Sequence, residues 1–246
     1  MRRIPLAWLA MALLGGACAR DAASADAAAG RPGGKSLRYL ALGDSYTIGE
    51  GVEPAERWPH RLAERLAADG MPLSGPPEIP EIIARTGWTT DELGAAIAAA
   101  KPQGPYDLVT LLIGVNDQYR GRGVEAYRPE FERLLGLAIG FAGGRPERVL
   151  VLSIPDWGVT SFAAAEGRFA PDRIAREIDA FNAVAKQAAE RAGAAFLDVT
   201  TETRTAGRQA GELVGDGLHP SGRQYARWAD AALPLAERAL AVPAAR

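Results

Sequence analysis

A serine lies among glycines in the segment 43–51, which reads Gly-Asp-Ser-Tyr-Thr-Ile-Gly-Glu-Gly and follows a short apolar run. Glycine permits sharp backbone turns, so this segment can hold the Ser45 hydroxyl exposed at the end of a strand. Serine becomes an effective nucleophile only when a neighbouring base removes its proton. Taken alone, Asp44 and Ser45 fit a tight turn or a helix N-cap. Chemistry at Ser45 therefore requires a base from elsewhere in the chain.

The chain has two histidines, His60 and His219, so any histidine base is one of these. Asp216 precedes His219 by three residues. At that spacing the carboxylate can reach the imidazole and leave the other ring nitrogen free as a base. A surface His-Pro step without a chemical role is the alternative for His219. His60 falls near the start of a predicted helix, and we expect a surface or capping role for it.

A side-chain amide and a carboxylate, Asn116 and Asp117, follow another apolar run in the segment 114–117, Gly-Val-Asn-Asp. An Asx turn is the common explanation for such a pair. Nucleophile, base, orienting carboxylate and amide nevertheless all fall in loops that follow predicted strands or face the same edge. Together they favour nucleophilic catalysis at Ser45 over four unrelated turns.

The candidate site residues are far apart in sequence, so strands and helices must bring them together. Short apolar runs alternate along the chain with longer helical segments. The predicted strands are 37–42, 79–84, 107–113, 148–153 and 194–199, and the predicted helices are 55–69, 91–100, 125–140, 172–192 and 221–241. Continuous apolar runs are typical of parallel strands that are covered on both faces. We therefore predict an α/β fold, a flavodoxin-like three-layer α/β/α sandwich with a mostly parallel five-stranded sheet. Its site is expected at the carboxyl ends of the strands.

Four sequence blocks resemble those of the SGNH, or GDSL, hydrolases: the segments 43–45, 114–117 and 216–220, together with Gly87 after the second strand. They occur in the family's order, and the resemblance covers about residues 37–240. The chain lacks the G-x-S-x-G elbow of the ordinary α/β-hydrolases, although the order Ser, Asp, His is shared with them. The resemblance implies the SGNH-hydrolase form of the α/β sandwich.

The resemblance also implies a role for each matching residue. Ser45 would attack an ester carbonyl, His219 would take its proton, and Asp216 would orient the imidazole. The backbone N–H groups of Ser45 and Gly87 and the side-chain amide of Asn116 would form the oxyanion hole. This chemistry requires neither a cofactor nor a metal. Asp44 is expected to brace the loop.

The implied function is that of an exported serine esterase that forms an acyl-enzyme on Ser45. Family members act on lysophospholipids, acyl thioesters, short-chain acyl esters and acetylated sugars, so a small-molecule or lipid ester is the expected partner. Four aromatic residues follow the second to fourth strands and either line an acyl or alcohol pocket or belong to the core: Trp88, Tyr119, Trp157 and Phe162. Acyl transfer to a sugar or lipid acceptor is the alternative enzymatic function. A carbohydrate- or lipid-binding protein without turnover is the other alternative, and it would need none of Ser45, Asp216 and His219.

The composition excludes several other classes of function. The chain has 246 residues, 28 basic against 30 acidic side chains, and 48% hydrophobic residues, as in ordinary globular proteins. Its formal net charge of −2 and the absence of a basic cluster speak against binding to nucleic acid. Two histidines and one cysteine are too few for most zinc sites. The oligomeric state is left open by the sequence.

The first eighteen residues are typical of an export signal, because Arg2 and Arg3 precede the apolar run 4–14 and small residues follow it. The segment 14–18 resembles a bacterial lipobox, and lipidation of Cys18 would attach the chain to a membrane. Cleavage as an ordinary signal peptide, or an uncleaved anchor, is the alternative. We predict a signal peptide over 1–18, a flexible linker over 19–36 and a hydrolase domain over 37–246. The expected location is the periplasm or outer membrane as a lipoprotein, and otherwise the exterior as a secreted protein.

Overall fold

Five short apolar runs form the sheet of the computed structural model, which describes residues 36–74, 79–207 and 209–242. The strands are β1 (Tyr39–Gly43), β2 (Glu81–Ala84), β3 (Leu108–Leu112), β4 (Val149–Leu152) and β5 (Ala195–Leu197). All neighbours pair in parallel in the order β2-β1-β3-β4-β5. Every residue of β1, β3 and β4 is buried, which explains their unbroken apolar sequences. The predicted parallel α/β fold is confirmed.

Nine α-helices occur in the described part of the chain. They are α1 (Ser45–Ile48), α2 (Trp58–Ala68), α3 (Thr90–Ala100), α4 (Val115–Tyr119), α5 (Val124–Phe141), α6 (Ser161–Glu166), α7 (Pro171–Ala192), α8 (Thr200–Ala206) and α9 (Gly222–Ala241). The five long helices match the predicted ones to within a few residues. The four short ones, α1, α4, α6 and α8, were not predicted, and all of them follow strands at the carboxyl edge of the sheet.

Two helix layers sandwich the sheet: α2 packs against α9, whereas α5 packs against α3 and α7. Contact between α2 and α9 includes Arg65, which pairs with Asp230 at 2.5 Å and donates to the carbonyl of Ala226 at 3.1 Å. Trp58 and Trp228 are among the largest fully buried side chains of the core. The first and last long helices of the domain are thus joined, which brings distant parts of the chain to one side of the sheet.

All five strands are shorter than the segments that predicted them, and β5 and β1 show the reasons. β5 ends at Leu197 because the N–H groups of Val199 and Thr200 donate instead to Ser153 Oγ, at 2.8 and 3.1 Å. Leu37 makes only an isolated bridge to Leu73, so β1 begins two residues after the predicted start. Side-chain acceptors and single bridges of this kind leave no trace in the hydropathy pattern.

The described residues belong to one compact unit, Gly34–Arg246. The predicted signal peptide over 1–18 and all but the last residue of the predicted linker over 19–36 lie outside the described residues. Within residues 36–74, 79–207 and 209–242, no helix has both the length and the apolar character needed to cross a bilayer.

Candidate active site

A cavity of about 180 Å³ opens at the carboxyl edge of the sheet. It is bounded by the loops that follow β1 to β4 and by the loop that precedes α9. Its lining residues are Ser45, Tyr46, Thr86, Gly87, Val115, Asn116, Tyr119, Trp157, Phe162, Leu218 and His219. The structure therefore brings the predicted nucleophile, base and amide into one cavity together with Gly87 and three of the four predicted aromatic residues.

The turn between β1 and α1 holds Ser45 as the first residue of a short helix, with Asp44 as its N-cap. Asp44 Oδ1 accepts a hydrogen bond from the Tyr46 backbone N–H at 3.0 Å. A Cβ atom on Gly43 would lie 2.2 Å from Thr47 Oγ1, so a side chain at this position would displace the helix. Ser45 itself is 4% exposed. The turn thus fixes where the Ser45 hydroxyl lies.

Asp44 is fully buried, and this burial raises its pKa from 3.8 to about 8. The hydrogen bond from the Tyr46 N–H lowers the pKa and the nearby charge of Asp117 raises it, but both effects are smaller than the effect of burial. Within the described residues, Asp44 Oδ2 has no hydrogen-bond partner. The carboxyl group is therefore mainly protonated at neutral pH, which fits a bracing role.

Asp216 and His219 form a hydrogen-bonded pair in the loop before α9, with 2.6 Å between Asp216 Oδ2 and His219 Nδ1. Asp216 Oδ1 also accepts from the backbone N–H groups of Leu218 and His219, at 2.8 and 3.0 Å. Partial burial opposes ionisation of Asp216, but these hydrogen bonds outweigh it and lower the pKa of the carboxyl group. Because Nδ1 is occupied, Nε2 is the ring nitrogen that remains for proton transfer at the cavity.

The loops after β2 and β3 are tied together behind the cavity. Asn116 Nδ2 donates to the carbonyl of Trp88 at 2.9 Å, which leaves the second N–H of the amide available. Asp117, 1% exposed, accepts from the Thr90 backbone N–H at 3.0 Å and from its hydroxyl at 2.9 Å. Gly87 has φ +87, which glycine adopts without strain. These bonds hold the loop that contains Gly87 beside Asn116.

An aromatic wall closes the other side of the cavity. Tyr119 and Trp157 meet edge to face with ring centroids 5.4 Å apart, and the Phe162 ring lies 6.3 Å from that of Trp157. Trp157 Nε1 donates to Gln118 Oε1 at 2.8 Å, so the indole is held in place. Trp88 does not line the cavity. Its side chain packs against the core, and its backbone carbonyl supports Asn116.

Sequence reasoning did not single out Arg120 or Thr86. Arg120 Nη2 donates to the Gly87 carbonyl at 2.6 Å, and the Thr86 hydroxyl donates to Glu50. Both contacts join loops that are far apart in sequence. Arg120 lies four residues after Asn116, one helical turn away, but its partner could be found only once the fold was known.

His60 lies in α2 and does not line the cavity. It is half-buried, and burial together with the charge of Arg57 lowers its pKa. Its Nδ1 atom has no hydrogen-bond partner among the described residues. The two histidines therefore have separate environments. In the part of the chain that the structure describes, no three His, Cys, Asp or Glu side chains are grouped closely enough to hold a metal ion.

Solved structures with this fold include several esterases. TesA is 22% identical with a TM-score of 0.65, and the match covers 82% of this chain and 99% of that one. The psychrotrophic esterase EstA from Pseudoalteromonas sp. is 18% identical with a TM-score of 0.57, covering 82% of this chain and 94% of that one. The acetylxylan esterase Axe2 from Geobacillus stearothermophilus is 19% identical with a TM-score of 0.58, covering 81% and 94%. At these identities the likeness establishes a common fold.

Comparison with curated proteins finds no match. By contrast, residues 41–227 match the sequence profile of the GDSL-like Lipase/Acylhydrolase family, from β1 into α9. This match confirms the resemblance carried by the four sequence blocks. It spans well over half of the chain and includes every residue of the cavity. The chain therefore belongs to the GDSL-like lipase/acylhydrolase family and is a serine hydrolase of the esterase type.

Proposed function

We propose that the protein hydrolyses carboxylic esters through an acyl-enzyme on Ser45. The observation that carries this proposal is the 2.6 Å contact between Asp216 Oδ2 and His219 Nδ1, together with the position of His219 in the same cavity as Ser45. A carboxylate on Nδ1 fixes the tautomer in which Nε2 is a free base. Ser45 supplies the nucleophile that such a base requires.

In the first half of the reaction, His219 Nε2 takes the Ser45 proton while Oγ forms a bond to the ester carbonyl carbon. The negative charge moves to the carbonyl oxygen, where the Ser45 and Gly87 N–H groups and the Asn116 amide donate to it. When the intermediate collapses, the C–O bond to the alcohol breaks and His219 returns its proton to the departing oxygen. The alcohol leaves, and the acyl group stays on Ser45.

In the second half, a water molecule takes the place of the alcohol. His219 removes one proton from the water as its oxygen attacks the acyl carbon, and the same donors hold the oxyanion. Collapse breaks the bond to Ser45 Oγ, which recovers the proton from His219. Asp216 stays ionised throughout, because its lowered pKa disfavours protonation, and it stabilises the imidazolium formed in each half.

A fluorophosphonate tests the central assignment, because it reacts with activated serines. We expect one adduct, on Ser45, with complete loss of hydrolysis of a p-nitrophenyl ester. The Ser45→Ala variant should not be labelled. The control variant, Ser36→Ala, changes an exposed serine near the amino end of β1 and should be labelled and hydrolyse the ester as the wild-type protein does. An adduct on another serine in an active sample would contradict the proposal.

A second experiment separates hydrolysis from acyl transfer. Adding a sugar or lipid alcohol should leave free acid as the main product, and a transferred acyl group would indicate a transferase.

Export and lipid attachment form the second part of the proposal. Support comes from the sequence: Arg2 and Arg3 precede the apolar run 4–14, and small residues lead to Cys18. We expect mass spectrometry of the mature protein to find a lipidated Cys18 as the first residue. Cys18→Ser should then leave the membrane fraction while its specific activity is unchanged. An unmodified N-terminus beyond residue 18 would contradict lipidation and support simple secretion.

A further inference from the structure

The short helix α6 is attached to the domain mainly through its contacts at the cavity. Thr160 caps it, accepting from the Ala163 N–H at 3.2 Å, and Ala163 is its one buried residue. Phe162 is half-buried and lines the cavity. Because the rest of α6 is exposed, burial in the core does not explain its position.

At its start, α6 is bonded to the loop that contains Asp216 and His219. The Gly217 carbonyl accepts from the Phe162 N–H at 2.9 Å and from the Ser161 hydroxyl at 3.1 Å. A Cβ atom on Gly217 would lie 2.4 Å from Ser161 Oγ, so this close approach requires glycine. The backbone of Phe162 is therefore bonded to the loop that carries the proposed base.

At its end, α6 is bonded to the aromatic wall. The Tyr119 hydroxyl donates to Glu166 Oε1 at 3.3 Å, and the Arg168 guanidinium lies 4.5 Å from the centre of the Tyr119 ring. Arg168 also pairs with Glu166 at 3.3 Å. The segment 161–168 thus spans the site from the base to Tyr119, with Phe162 facing the cavity between them.

We propose that the segment 161–168 sets the length of the acyl chain that the enzyme accepts, with Phe162 as the limiting wall. This inference rests on the proposed ester hydrolysis. Hydrocarbon is the chemistry that fits, because Val115, Tyr119, Trp157, Phe162 and Leu218 line the space beyond the polar groups. The cavity is small, about 180 Å³, and part of it surrounds Ser45, Asn116 and His219, so little room is left for a long chain. The preferred substrates are therefore esters of short- to medium-chain acids.

Chain length should affect the rate in a characteristic way. Each methylene that enters the cavity raises kcat/KM about fourfold, the equivalent of about 0.8 kcal/mol. Once the chain is long enough to meet Phe162, kcat/KM stops rising or falls. The quantity to compare is the ratio of kcat/KM for a long-chain ester to kcat/KM for a short-chain ester. A lower fraction of folded, active enzyme changes both values equally and does not change their ratio.

The experiment measures kcat/KM for p-nitrophenyl esters from C2 to C12. Phe162→Ala should move the optimum to longer chains and raise the C10-to-C4 ratio at least about tenfold, since several methylenes gain room. Phe162→Trp should move the optimum to shorter chains. Phe169→Ala is the matched control. Phe169 contacts the same Trp157 ring, at 6.3 Å, but does not line the cavity, so the ratio should stay within about twofold.

Arg168 tests the far end of the segment. Arg168→Ala removes the cation from the Tyr119 ring and should shift the ratio in the same direction as Phe162→Ala, by about threefold. Its control is Arg173→Ala, because Arg173 lies over the Phe169 ring at 5.0 Å and does not line the cavity.

The outcomes separate this inference from the function on which it rests. If the wild-type protein hydrolyses these esters and Ser45→Ala does not, an unchanged optimum in both Phe162 variants overturns the length assignment alone. Acetyl esters of increasingly long alcohols give the second check. A change of preference in this series instead of the acyl series would place the alcohol against Phe162 and overturn the assignment. Absence of hydrolysis by the wild-type protein would overturn the proposed function and this inference with it.

Discussion

The turn around Asp44 and the loop around Asp216 use the same local hydrogen bond for opposite purposes. In each, an aspartate oxygen accepts from the backbone N–H two residues ahead, at 3.0 Å from Tyr46 and at 2.8 Å from Leu218. Asp44 is fully buried, and its pKa rises to about 8. The Asp216 side chain is 41% exposed and bonded to His219, and its pKa is lowered.

This difference shows that the surroundings, and not the local motif, decide the charge of an aspartate. The buried carboxyl group of Asp44 stabilises the turn that positions Ser45. Because this group is mainly neutral, it adds no charge beside the proposed nucleophile. The carboxylate before α9 contributes charge, because it must stabilise an imidazolium in the proposed mechanism.

Removing the base should have the largest effect. His219→Ala should lower kcat by on the order of 10⁴ to 10⁶, because Ser45 then has no proton acceptor. Steady-state hydrolysis of a p-nitrophenyl ester measures this, and circular dichroism checks the fold. His60→Ala is the matched control and should change kcat by less than about threefold, since His60 lies away from the cavity. Loss of activity through His60 would contradict the assignment of the base.

Removing the charge of Asp216 should come next. Asp216→Asn keeps the size of the side chain but loses the ionised acceptor on His219 Nδ1, and we expect kcat to fall by on the order of 10³ to 10⁴. The corresponding change in the other region, Asp44→Asn, should lower kcat by less than about tenfold, because an amide oxygen still accepts from Tyr46. Equal losses in the two variants would show that both carboxylates serve the same purpose.

Removing the amide of Asn116 should have a smaller effect. Asn116→Ala should lower kcat by on the order of 10² to 10³ with little change in KM, because its donor meets charge that exists only in the transition state. Separate determination of kcat and KM provides the check. A change confined to KM would instead make Asn116 a ground-state binding residue.

The raised pKa of Asp44 should also make stability depend on pH, an effect separate from those on turnover. The pKa of Asp44 is about 8 in the folded state against an ordinary value of 3.8, so the folded chain retains a proton that the unfolded chain releases. The contribution of Asp44 to stability is therefore fully present below about pH 4 and is lost as the pH rises through 8. Urea unfolding should find that Asp44→Asn gains stability relative to wild type between pH 5 and pH 8. A constant difference across this range would contradict the raised pKa.

The sequence predicted the sheet because β1, β3 and β4 are buried along their whole length and thus apolar at every position. It predicted the long helices because each presents an apolar stripe over several turns. The short helices α1 and α6 have no room for such a stripe. They exist because Asp44 and Thr160 cap them and because Gly217 bonds to α6. A capping residue such as Asp44 can be recognised in the sequence, but the bond from Gly217 to a helix 55 residues earlier cannot.

For the candidate site, as for the fold, the sequence predicted some features and not others. The sequence pointed to Ser45, Asn116 and His219 because chemistry restricts these residue types, and the fold places all three in one cavity. The hydrogen bond from Arg120 to the Gly87 carbonyl could not be predicted from the sequence. In a linear sequence, an arginine that donates to a distant carbonyl cannot be told from any exposed arginine. Trp88 follows β2, and of the two alternatives that the sequence left open for it, pocket or core, the structure shows packing against the core.

The pairing of α2 with α9 determines the folding step at which the chain becomes active. Ser45 precedes α2, and His219 lies just before α9, so the proposed nucleophile and base are 174 positions apart and meet only when the last helix docks. A chain that has folded only as far as α7 carries the serine but not yet the proposed base beside it. Hydrolysis therefore begins only once α9 has docked, and the onset of ester cleavage during refolding from urea would time that step.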